Sequence, residues 1–491
     1  MQRPLWLLII ITQLSLCGST HAENSDTGLQ TYEERIQALE SRVRELEQGS
    51  APVGDSNTVQ VQKNSEAIED LQKDMKRTTK DFDFQGYLRS GFGVNTYGDS
   101  MTPFQAPSSQ AKYRLGNEAE TYLEALFLTE TPPEITQEKA TFDTFIRLAL
   151  SVPNTKTNTS STQTSLRETY GIARGVLESM REATFWAGQR FYSRYDIHMN
   201  DFWFRDMSGF GGGIEKVPVA GDWANFSFAY LGGSIDELTS SGSQYQPDDF
   251  LMNMNSFDFG LSDIEVLGGA LDSFFTVSHF SGDSFTDPLT SVTYRLEDST
   301  GVGVNLIHRK ALTYKLDNTF AAQYGDGAAS NFRAVMVAPV GLITNNQTTF
   351  YTDSTQRWRV LDSLLWDTGT PWSFMSLFVY EEGDYGLAGP SRTKWASGGF
   401  RPVYHIDRFF SVAIEAGIDY TENNRSTAGT LYKLTVAPQI TPEAKHLSRP
   451  ALRAFVTYGY WTDGFVGHVG GSSYGDDNHG LNAGIQLETW W

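Results

Sequence analysis

Apolar and polar residues alternate with a period of two after Lys80, as in a β-strand with one apolar and one wet face. In the segment 82–94, one face carries Phe82, Phe84, Leu88, Phe92 and Val94, and the other carries Asp83, Gln85, Tyr87 and Arg89. The segment 118–125 separates Glu118, Glu120, Tyr122 and Glu124 from Ala119, Leu123 and Ala125. The C-terminal segment separates Leu481, Ala483, Ile485, Leu487 and Trp491 from Asn482, Gln486, Glu488 and Trp490. A charged inner face and an apolar outer face are typical of an all-β membrane barrel with a wet lumen.

A soluble β-sandwich or propeller also alternates, but three features favour the membrane barrel. The apolar face is rich in Phe and Leu with aromatic residues near the strand ends, an export signal begins the chain, and the last residue is Trp491. The region 81–491 spans roughly 410 residues, and at roughly 23 residues for a strand and its connection it accommodates about 16 to 18 strands. Length alone does not decide between these numbers.

Residues 1–22 are predicted to be a secretory signal peptide. Arg3 lies near the start, an apolar run covers 5–12, and the segment ends in T-H-A. The run is too short for a membrane-spanning helix, which needs about 20 apolar residues. A lipoprotein signal ending at Cys17 is disfavoured by the bulky Leu16 that precedes it.

Residues 31–48 place apolar side chains alternately four and three residues apart, which indicates a coiled coil. The seam consists of Tyr32, Ile36, Leu39, Val43 and Leu46, and a weaker register follows at Val61, Ile68, Leu71 and Met75. Ile and Val at a with Leu at d favour two strands, but two copies of R-h-x-x-h-E (35–40 and 42–47) resemble the signature of short trimeric coiled coils. We therefore predict that 23–80 form a trimeric periplasmic stalk. The alternative is a solvated helical linker.

Composition narrows the classes of function. Of 491 residues, 13% are aromatic, 45 are Gly and only one is Cys. Because Cys17 falls in the predicted signal peptide, we expect neither a disulfide nor a Cys-ligated metal site. The formal net charge of −21 disfavours nucleic acid as a partner. After the predicted signal peptide, no segment contains about 20 consecutive apolar residues, so no membrane-spanning helix is predicted.

The run 186–206 reads W-A-G-Q-R-F-Y-S-R-Y-D-I-H-M-N-D-F-W-F-R-D and combines three Arg, three Asp and one His with seven aromatic residues. A core would not accept so many charges, since a buried unpaired ion costs several kcal/mol. A solvated loop has little use for so many rings. Rings stack on the apolar face of a sugar and charges bind its hydroxyls. We expect this run to fold into a pore and to form its narrowest part.

Three patterns have simpler explanations than the chemistry they resemble. G-S-S-Y-G at 471–475 fits G-x-S-x-G, but only a short terminal strand follows, so no enzyme is predicted. His198 beside Asp196 and Asp201 could bind a metal, yet no second His lies near, and contact with a polar ligand is the preferred interpretation. Structural Ca²⁺ at 476–478 is left open, and no cofactor is predicted.

Six runs resemble the maltoporin-type (LamB-like) sugar porins, in order and at family-like spacing over almost all of 81–491. They are F-Q-G-Y-L-R-S-G-F-G (84–93), F-Q-A (104–106), Q-A-K-Y-R-L-G-N-E-A-E-T-Y (110–122), W-A-G-Q-R-F-Y-S-R-Y-D-I-H-M-N-D-F (186–202), S-R-P-A-L-R-A-F-V-T-Y (448–458) and E-T-W-W (488–491). The resemblance implies an 18-stranded antiparallel barrel, a homotrimer and an inward-folded third loop. The N-terminal extension resembles that of the sucrose-porin branch, and the terminal Trp resembles the sorting signal of outer-membrane proteins.

The resemblance also implies which residues contact the sugar. The family's aromatic slide corresponds to Tyr87, Tyr122 and Trp490. Its polar track corresponds to Arg89, Arg114, Glu124, Arg167, Arg194, Asp196, His198 and Asp201. Trp203 takes the position of the constriction tyrosine, and we expect Arg194 and Arg89 to oppose it. Period-two alternation places Tyr87, Arg89, Tyr122, Glu124 and Trp490 on the lumen face independently of the resemblance.

The chain departs from the family at both ends of the slide. Aromatic positions of the family correspond here to Thr159, Asp317 and Leu447, and the first-loop cysteines correspond to Pro103 and Ala119. Which di- or oligosaccharide passes is therefore open. We expect a Gram-negative outer-membrane protein in contact with lipid. Whether its periplasmic stalk binds peptidoglycan, a periplasmic protein or the sugar itself is left open. A general diffusion porin is the main alternative. A trimeric adhesin is disfavoured, because such proteins place only a short segment of each chain in the barrel.

Overall fold

The structure, a computed structural model, describes residues 82–131, 140–152, 162–221, 223–235, 252–286, 291, 293–296, 298–313, 315–334, 341–344, 347–350, 353–369, 371–386, 391–423 and 427–491. The predicted signal peptide and coiled-coil stalk lie outside these residues, as does Thr159, and they stay predictions. The chain divides into two compact units, one of residues 1–83 with 128–136 and one of residues 84–127 with 137–491. Every site residue discussed below belongs to the second unit.

The described residues contain 24 strands. In chain order they are β1 (Phe82–Asn95), β2 (Thr121–Glu130), β3 (Thr141–Val152), β4 (Gln163–Arg174), β5 (Thr184–Arg190), β6 (Arg194–Ile197), β7 (Phe202–Asp206), β8 (Gly209–Val219), β9 (Ala224–Ile235), β10 (Met252–Val266), β11 (Gly269–Phe280), β12 (Asp283–Thr286), β13 (Thr293–Leu296), β14 (Ser299–Thr313), β15 (Leu316–Asp326), β16 (Gly341–Thr344), β17 (Gln347–Phe350), β18 (Gln356–Asp367), β19 (Trp372–Asp384), β20 (Arg392–His405), β21 (Phe410–Glu422), β22 (Ala428–Ile440), β23 (Ala451–Trp461) and β24 (His479–Trp490). Short 3-10 helices cover His198–Asn200, Gly327–Ala329, Asp463–Phe465 and Ser472–Tyr474.

Eighteen of these strands form one closed antiparallel barrel, which confirms the predicted strand number. Each strand pairs with its neighbour in the chain, and β24 pairs with β1 to close the sheet, with Tyr87 opposite Trp490 and Arg89 opposite Glu488. The other six strands lie in loops: β6 pairs with β7, and β12, β13, β17 and β16 form a small separate sheet. None of the helices in the described part of the chain is long and apolar enough to cross a membrane.

The barrel has its apolar side chains outside and its charged side chains inside. On β21, Ile414 and Ile418 are exposed, whereas the alternating Glu415 and Asp419 are buried. Leaving a large apolar side chain in water forfeits roughly 1.5–3 kcal/mol, so an outer surface built this way requires lipid.

Where alternation was predicted on β1 and β24, it gave the faces correctly, since Phe92 and Ile485 are exposed and Glu488 is buried. Ala119, expected on the outer face, is instead buried beside Leu115, because it precedes β2 and belongs to the inward loop.

Aromatic pairs mark both ends of the barrel wall. At one end, Trp372 at the start of β19 lies 4.9 Å from Tyr404 at the end of β20, measured between ring centroids. At the other end, Trp358 at the start of β18 lies 5.2 Å from Tyr380 near the end of β19. Amphipathic rings in two such bands are typical of the two interfaces of a membrane with water.

Two loops fold into the barrel: the first loop (96–120) and the third loop (191–208). Tyr113 of the first loop is buried, and its hydroxyl lies 2.9 Å from Ser397 Oγ on β20. Phe202 of the third loop packs edge-on against Trp395 of β20 at 4.9 Å. The backbone N–H of residue 114 donates to the carbonyl of Met199 (3.1 Å), so the two loops also support each other. The inward-folded third loop is confirmed.

Two glycines make room for the first loop. Gly399 on β20 and Gly417 on β21 lie opposite each other in the sheet, and the Tyr113 ring packs against both. A Cβ at Gly417 would lie 2.4 Å from Tyr113 Cδ2, and one at Gly399 would lie 2.3 Å from Tyr113 Cε1. No side chain larger than hydrogen fits there without moving the ring.

We predict that Gly417→Ala destabilises the folded barrel by about 1–3 kcal/mol, the usual cost of overpacking. The measurement is the free energy of unfolding in urea after refolding into detergent or lipid. Gly398→Ala is the matched control, since a Cβ at Gly398 meets its nearest neighbour, Ile418, at an ordinary 3.7 Å. Equal stability of the two variants would contradict the proposed packing of Tyr113.

Candidate functional site

One carboxylate, that of Glu488 on β24, connects several segments of the lumen wall. Its oxygens accept hydrogen bonds from Arg114 Nη2 (2.9 Å), Arg453 Nη1 (2.8 Å) and the Tyr87 hydroxyl (3.2 Å). Arg449 Nη2 lies 2.6 Å from Oε2. The Glu488 side chain is 3% exposed, so these are buried charges. Three segments distant in sequence are thereby fixed to the seam that closes the barrel.

A row of three aromatic rings follows this seam. Tyr122 on β2, Tyr87 on β1 and Trp490 on β24 belong to three neighbouring strands. The ring centroids of Tyr122 and Tyr87 are 6.2 Å apart, and Tyr87 is the direct cross-strand partner of Trp490. These are the three residues that the resemblance assigns to an aromatic slide, and the structure brings them together.

Guanidinium groups lie over these rings. Arg89 Cζ is 5.1 Å from the centroid of Tyr122, and Arg114 Cζ is 6.0 Å from that of Tyr87. Arg449 Cζ is 4.3 Å from the centroid of Trp490. Each contact is within the distance at which a cation is attracted to a ring face. The row therefore combines apolar surface with hydrogen-bond donors at every step.

Carboxylates border the same row. Arg89 pairs with Glu120 (2.5 Å) and Glu118 (3.4 Å), and the Tyr122 hydroxyl donates to Glu124 Oε1 (2.5 Å). Burial alone would raise the pKa of Glu118, but the Arg114 and Arg89 guanidiniums outweigh it and hold the pKa below its usual range. Hydrogen-bond donors and acceptors thus both lie along the row of rings.

The third loop presents its polar side chains through a short hairpin. Strands β6 and β7 pair, and Asp201, which follows the 3-10 turn His198–Asn200, adopts a left-handed backbone (φ 54°). The apolar residues of the hairpin anchor it in the barrel interior; they are Ile197, Met199, Phe202 and Phe204. Alternation along the hairpin leaves Asp196 exposed opposite Trp203.

His198 connects this hairpin to the ring row. Its Nδ1 lies 3.1 Å from Arg114 Nη1, and its ring meets Trp490 edge-on at 5.9 Å. Because Arg only donates, Nδ1 accepts this bond. Burial and the Arg114 guanidinium hold the pKa of His198 well below its usual value, so the imidazole is neutral near pH 7.

Trp203 and Phe191 enclose one guanidinium. Arg194 Cζ lies 3.6 Å from the centroid of Trp203 and 4.0 Å from that of Phe191. Arg194, expected to oppose Trp203, thus contacts its ring. Arg89, the other residue expected to oppose Trp203, contacts Glu120 and Tyr122, and its position opposite Trp203 stays a prediction.

A family model described as LamB porin matches residues 82–491. The chain belongs to the LamB porin family. The resemblance to maltoporin-type proteins is therefore confirmed, and the match covers the whole barrel including the ring row and both inward loops. A LamB porin is a channel of the Gram-negative outer membrane, and the lipid-facing exterior described above agrees with this. Family and fold indicate a channel rather than an enzyme.

Several solved structures match most of this chain at low sequence identity. Pseudomonas aeruginosa OccD3 (OpdP) is 9% identical and matches with a TM-score of 0.42 over 84% of this chain and 91% of its own. Salmonella typhi OmpF, solved in complex with daunomycin, is 11% identical with a TM-score of 0.42 over 83% and 97%. The channel DcaP of Acinetobacter baumannii is 10% identical with a TM-score of 0.41 over 83% and 96%. Likenesses of this size carry no argument about function.

The LamB porin interior holds residues that sequence reasoning missed. Glu488 was placed on the lumen face, but its four partners were not foreseen. Arg449 and Arg453 stand in the S-R-P-A-L-R run without having been assigned a role. Phe191 was part of the 186–206 run, and its position between guanidiniums appears only in the fold. Partners so far apart in sequence leave no periodic signal.

The described residues hold no group of three or more His, Cys, Asp or Glu side chains placed to bind a metal. Asp477, one of the residues left open for Ca²⁺, accepts a hydrogen bond from the Tyr97 hydroxyl (2.6 Å). His198 contacts Arg114 and Trp490 as described. The absence of a cofactor stays a prediction.

His198 generates a pH prediction. Because its folded-state pKa lies below the unfolded value of about 6.5, the unfolded state binds more protons as pH falls through that value, and stability decreases. We expect the unfolding midpoint of the wild type to drop between pH 7.5 and 5, and His198→Gln to reduce that drop. His279→Gln, at an exposed position, should behave as wild type. The same pH slope in all three proteins would contradict burial of a neutral His198.

Proposed function

We propose that this LamB porin mediates facilitated diffusion of di- or oligosaccharides across the outer membrane. The observation that carries the proposal is the row formed by Tyr122, Tyr87 and Trp490 on neighbouring strands, bordered by paired arginines and carboxylates. A general diffusion channel needs charges to orient water and ions, but it does not need a continuous row of rings. Sugars have an apolar ring face and a hydroxyl-rich edge, which match the two components of this wall.

Transport follows from many weak contacts. Each ring contributes about 0.5–1.5 kcal/mol of stacking, by analogy with aromatic pairs. A sugar held by one or two rings therefore dissociates quickly, and the next ring is within reach. Hydroxyls exchange between Arg89, Glu120 and Glu124 as the sugar advances, so the bonds lost at one position are replaced at the next. The sugar slides without paying the full desolvation of its hydroxyls.

The third loop supplies the narrow part of the path in this proposal. Trp203 stands at the family's constriction position, and Arg194 lies flat on its ring. Tryptophan is larger than tyrosine and has no hydroxyl, so the passage is narrower and less polar there. Linear chains pass end-on, and branched sugars pass slowly.

The finer architecture belongs to the proposal as well. Residues 1–22 direct export, and three chains associate both through their barrels and through the coiled coil of 23–80. The stalk projects into the periplasm, where it binds peptidoglycan or a periplasmic protein. The altered slide positions at Thr159, Asp317 and Leu447 select a sugar other than long maltodextrins.

We predict that Tyr122→Ala weakens sugar block of the ion current several-fold while conductance stays the same or rises, since one stacking contact is lost and the lumen widens. The measurement is single-channel recording of the full chain in planar bilayers with a panel of neutral oligosaccharides.

Tyr324→Ala, on the exposed outer face, is the matched control and should leave block unchanged. Unchanged sugar block in Tyr122→Ala would remove the ring row from the transport path. A wild-type channel that no sugar blocks would favour general diffusion.

A further inference from the structure

A cavity of about 790 Å³ lies beside the third loop. Its lining includes Arg167, Arg190, Phe191, Arg194, Asp206 and Ser208, which we call the arginine cavity. Its volume lies within the roughly 300–1,000 Å³ of typical ligand pockets. Three cations and one carboxylate among its charged side chains contrast with the net charge of −21 of the whole chain.

The carboxylates near the arginine cavity are already engaged. Arg190 pairs with Glu215. Asp206 is shared between Arg194 Nε (3.3 Å) and Arg333 Nη1 (3.8 Å), and its Oδ1 also accepts the Ser208 hydroxyl and backbone N–H. The geometry at Arg194 Nε is too poor for a hydrogen bond, so this buried donor has no hydrogen-bond partner in the part of the chain that the structure describes.

The positive charge of Arg167 is compensated by neighbouring carboxylates even less than that of Arg194. Among the residues that the structure describes it pairs with no carboxylate, and its charged group lies 5.7 Å from the ring centroid of Phe191. The side chain is exposed to the cavity and free to bind. An arginine offers five N–H donors and no acceptor. The cavity therefore has a surplus of donors.

Neighbouring charges do not remove this surplus. Glu124 and Glu168 both form ion pairs with Arg147, at 3.0 Å and 2.5 Å. Asp196, on the same hairpin as Arg194, interacts with Arg114 and, to a smaller extent, with Arg194, so its charge is shared between the two guanidiniums. Burial lowers the pKa of Arg333; Asp206 offsets part of this, and Arg194 and Arg357 lower the pKa further. Asp206 thus does not neutralise the arginines around it.

The guanidinium groups surround one aromatic ring, that of Phe191. The Phe191 ring is approached by Arg194 at 4.0 Å, Arg147 at 5.3 Å and Arg167 at 5.7 Å. Its backbone N–H donates to Glu168 (2.8 Å), which fixes the start of the third loop. A sugar ring that meets this surface finds an apolar platform with guanidiniums beside it.

From this geometry we infer that the arginine cavity is a subsite for a sugar unit that carries an acidic group, namely a carboxylate, sulfate or phosphate ester. The inference rests on the proposed function and deepens it by naming the class of sugar. An oxyanion is an acceptor-only group, and guanidiniums bind it through paired hydrogen bonds. Arg167 and Arg194 supply these bonds, and Phe191 supports the ring.

The test compares an acidic oligosaccharide with its uncharged ester. Tetragalacturonate and its fully methyl-esterified form have the same length and linkage and differ in charge. Block of the ion current by each is measured in planar bilayers with the full-length wild type, Arg167→Gln and the control Arg392→Gln. Arg392 is a matched arginine whose side chain is 70% exposed and pairs with Asp384, which does not line the cavity. Trimer mobility on gels verifies folding of each variant.

We expect the acid to block the wild type about five-fold more tightly than the ester, which corresponds to roughly 1 kcal/mol. Arg167→Gln should lose most of that difference, so that acid and ester block to within about two-fold of each other, whereas Arg392→Gln should behave as wild type. A sulfated tetrasaccharide, a phosphorylated one and inorganic sulfate show whether any sugar-borne oxyanion suffices.

Other outcomes separate the two proposals. Equal block by acid and ester, or equal loss of both in Arg167→Gln, overturns the acidic subsite and leaves sugar transport standing. Inorganic sulfate that competes as strongly as the acidic sugar also overturns it, since the site then recognises the anion without the sugar. Absence of block by every sugar removes the proposed function and this inference together.

Discussion

The structure of the lumen depends on the buried ion pairs of Glu488. One carboxylate holds Arg114 of the first loop, Arg449 of the turn before β23 and Arg453 on β23, all at the seam where β24 meets β1. Removing one partner from a buried ion pair typically costs about 3–5 kcal/mol, because the other charge stays buried without compensation. Glu488 also accepts a hydrogen bond from the Tyr87 hydroxyl and lies two residues before Trp490 on β24. The ion pairs at the seam therefore also hold the rings in place.

Two kinds of contact occur inside the barrel, and each has a different role. Apolar contacts and close packing against glycine hold the inward loops, as Tyr113 does against Gly417. Charges and rings line the path that those loops leave. Arg114 joins the two systems, since its backbone bonds the third loop and its guanidinium bonds Glu488 and His198. A change in the loops is thus transmitted to the ring row.

Period-two alternation predicted the faces of the strands, and for that reason Tyr87, Arg89, Tyr122 and Trp490 were placed correctly on the lumen side. Alternation is local, and the sheet preserves it. The partners of Glu488 could not be predicted, since Arg114 lies 374 residues away in sequence and no pattern connects them. The carboxylate partners of Arg89, namely Glu118 and Glu120, could not be predicted for a related reason, since they lie in the first loop, whose fold leaves no periodic signal. Length left the strand number open, and the family resemblance supplied it.

The central claim is that the channel selects sugars by chemistry and not by size alone. Proteoliposomes containing the full chain should swell faster in a di- or oligosaccharide than in a poly(ethylene glycol) of equal hydrodynamic radius, because only the sugar exchanges stacking and hydroxyl bonds with the lumen wall. Rates that fall with solute size along one common curve, for sugars and glycols together, would contradict the account.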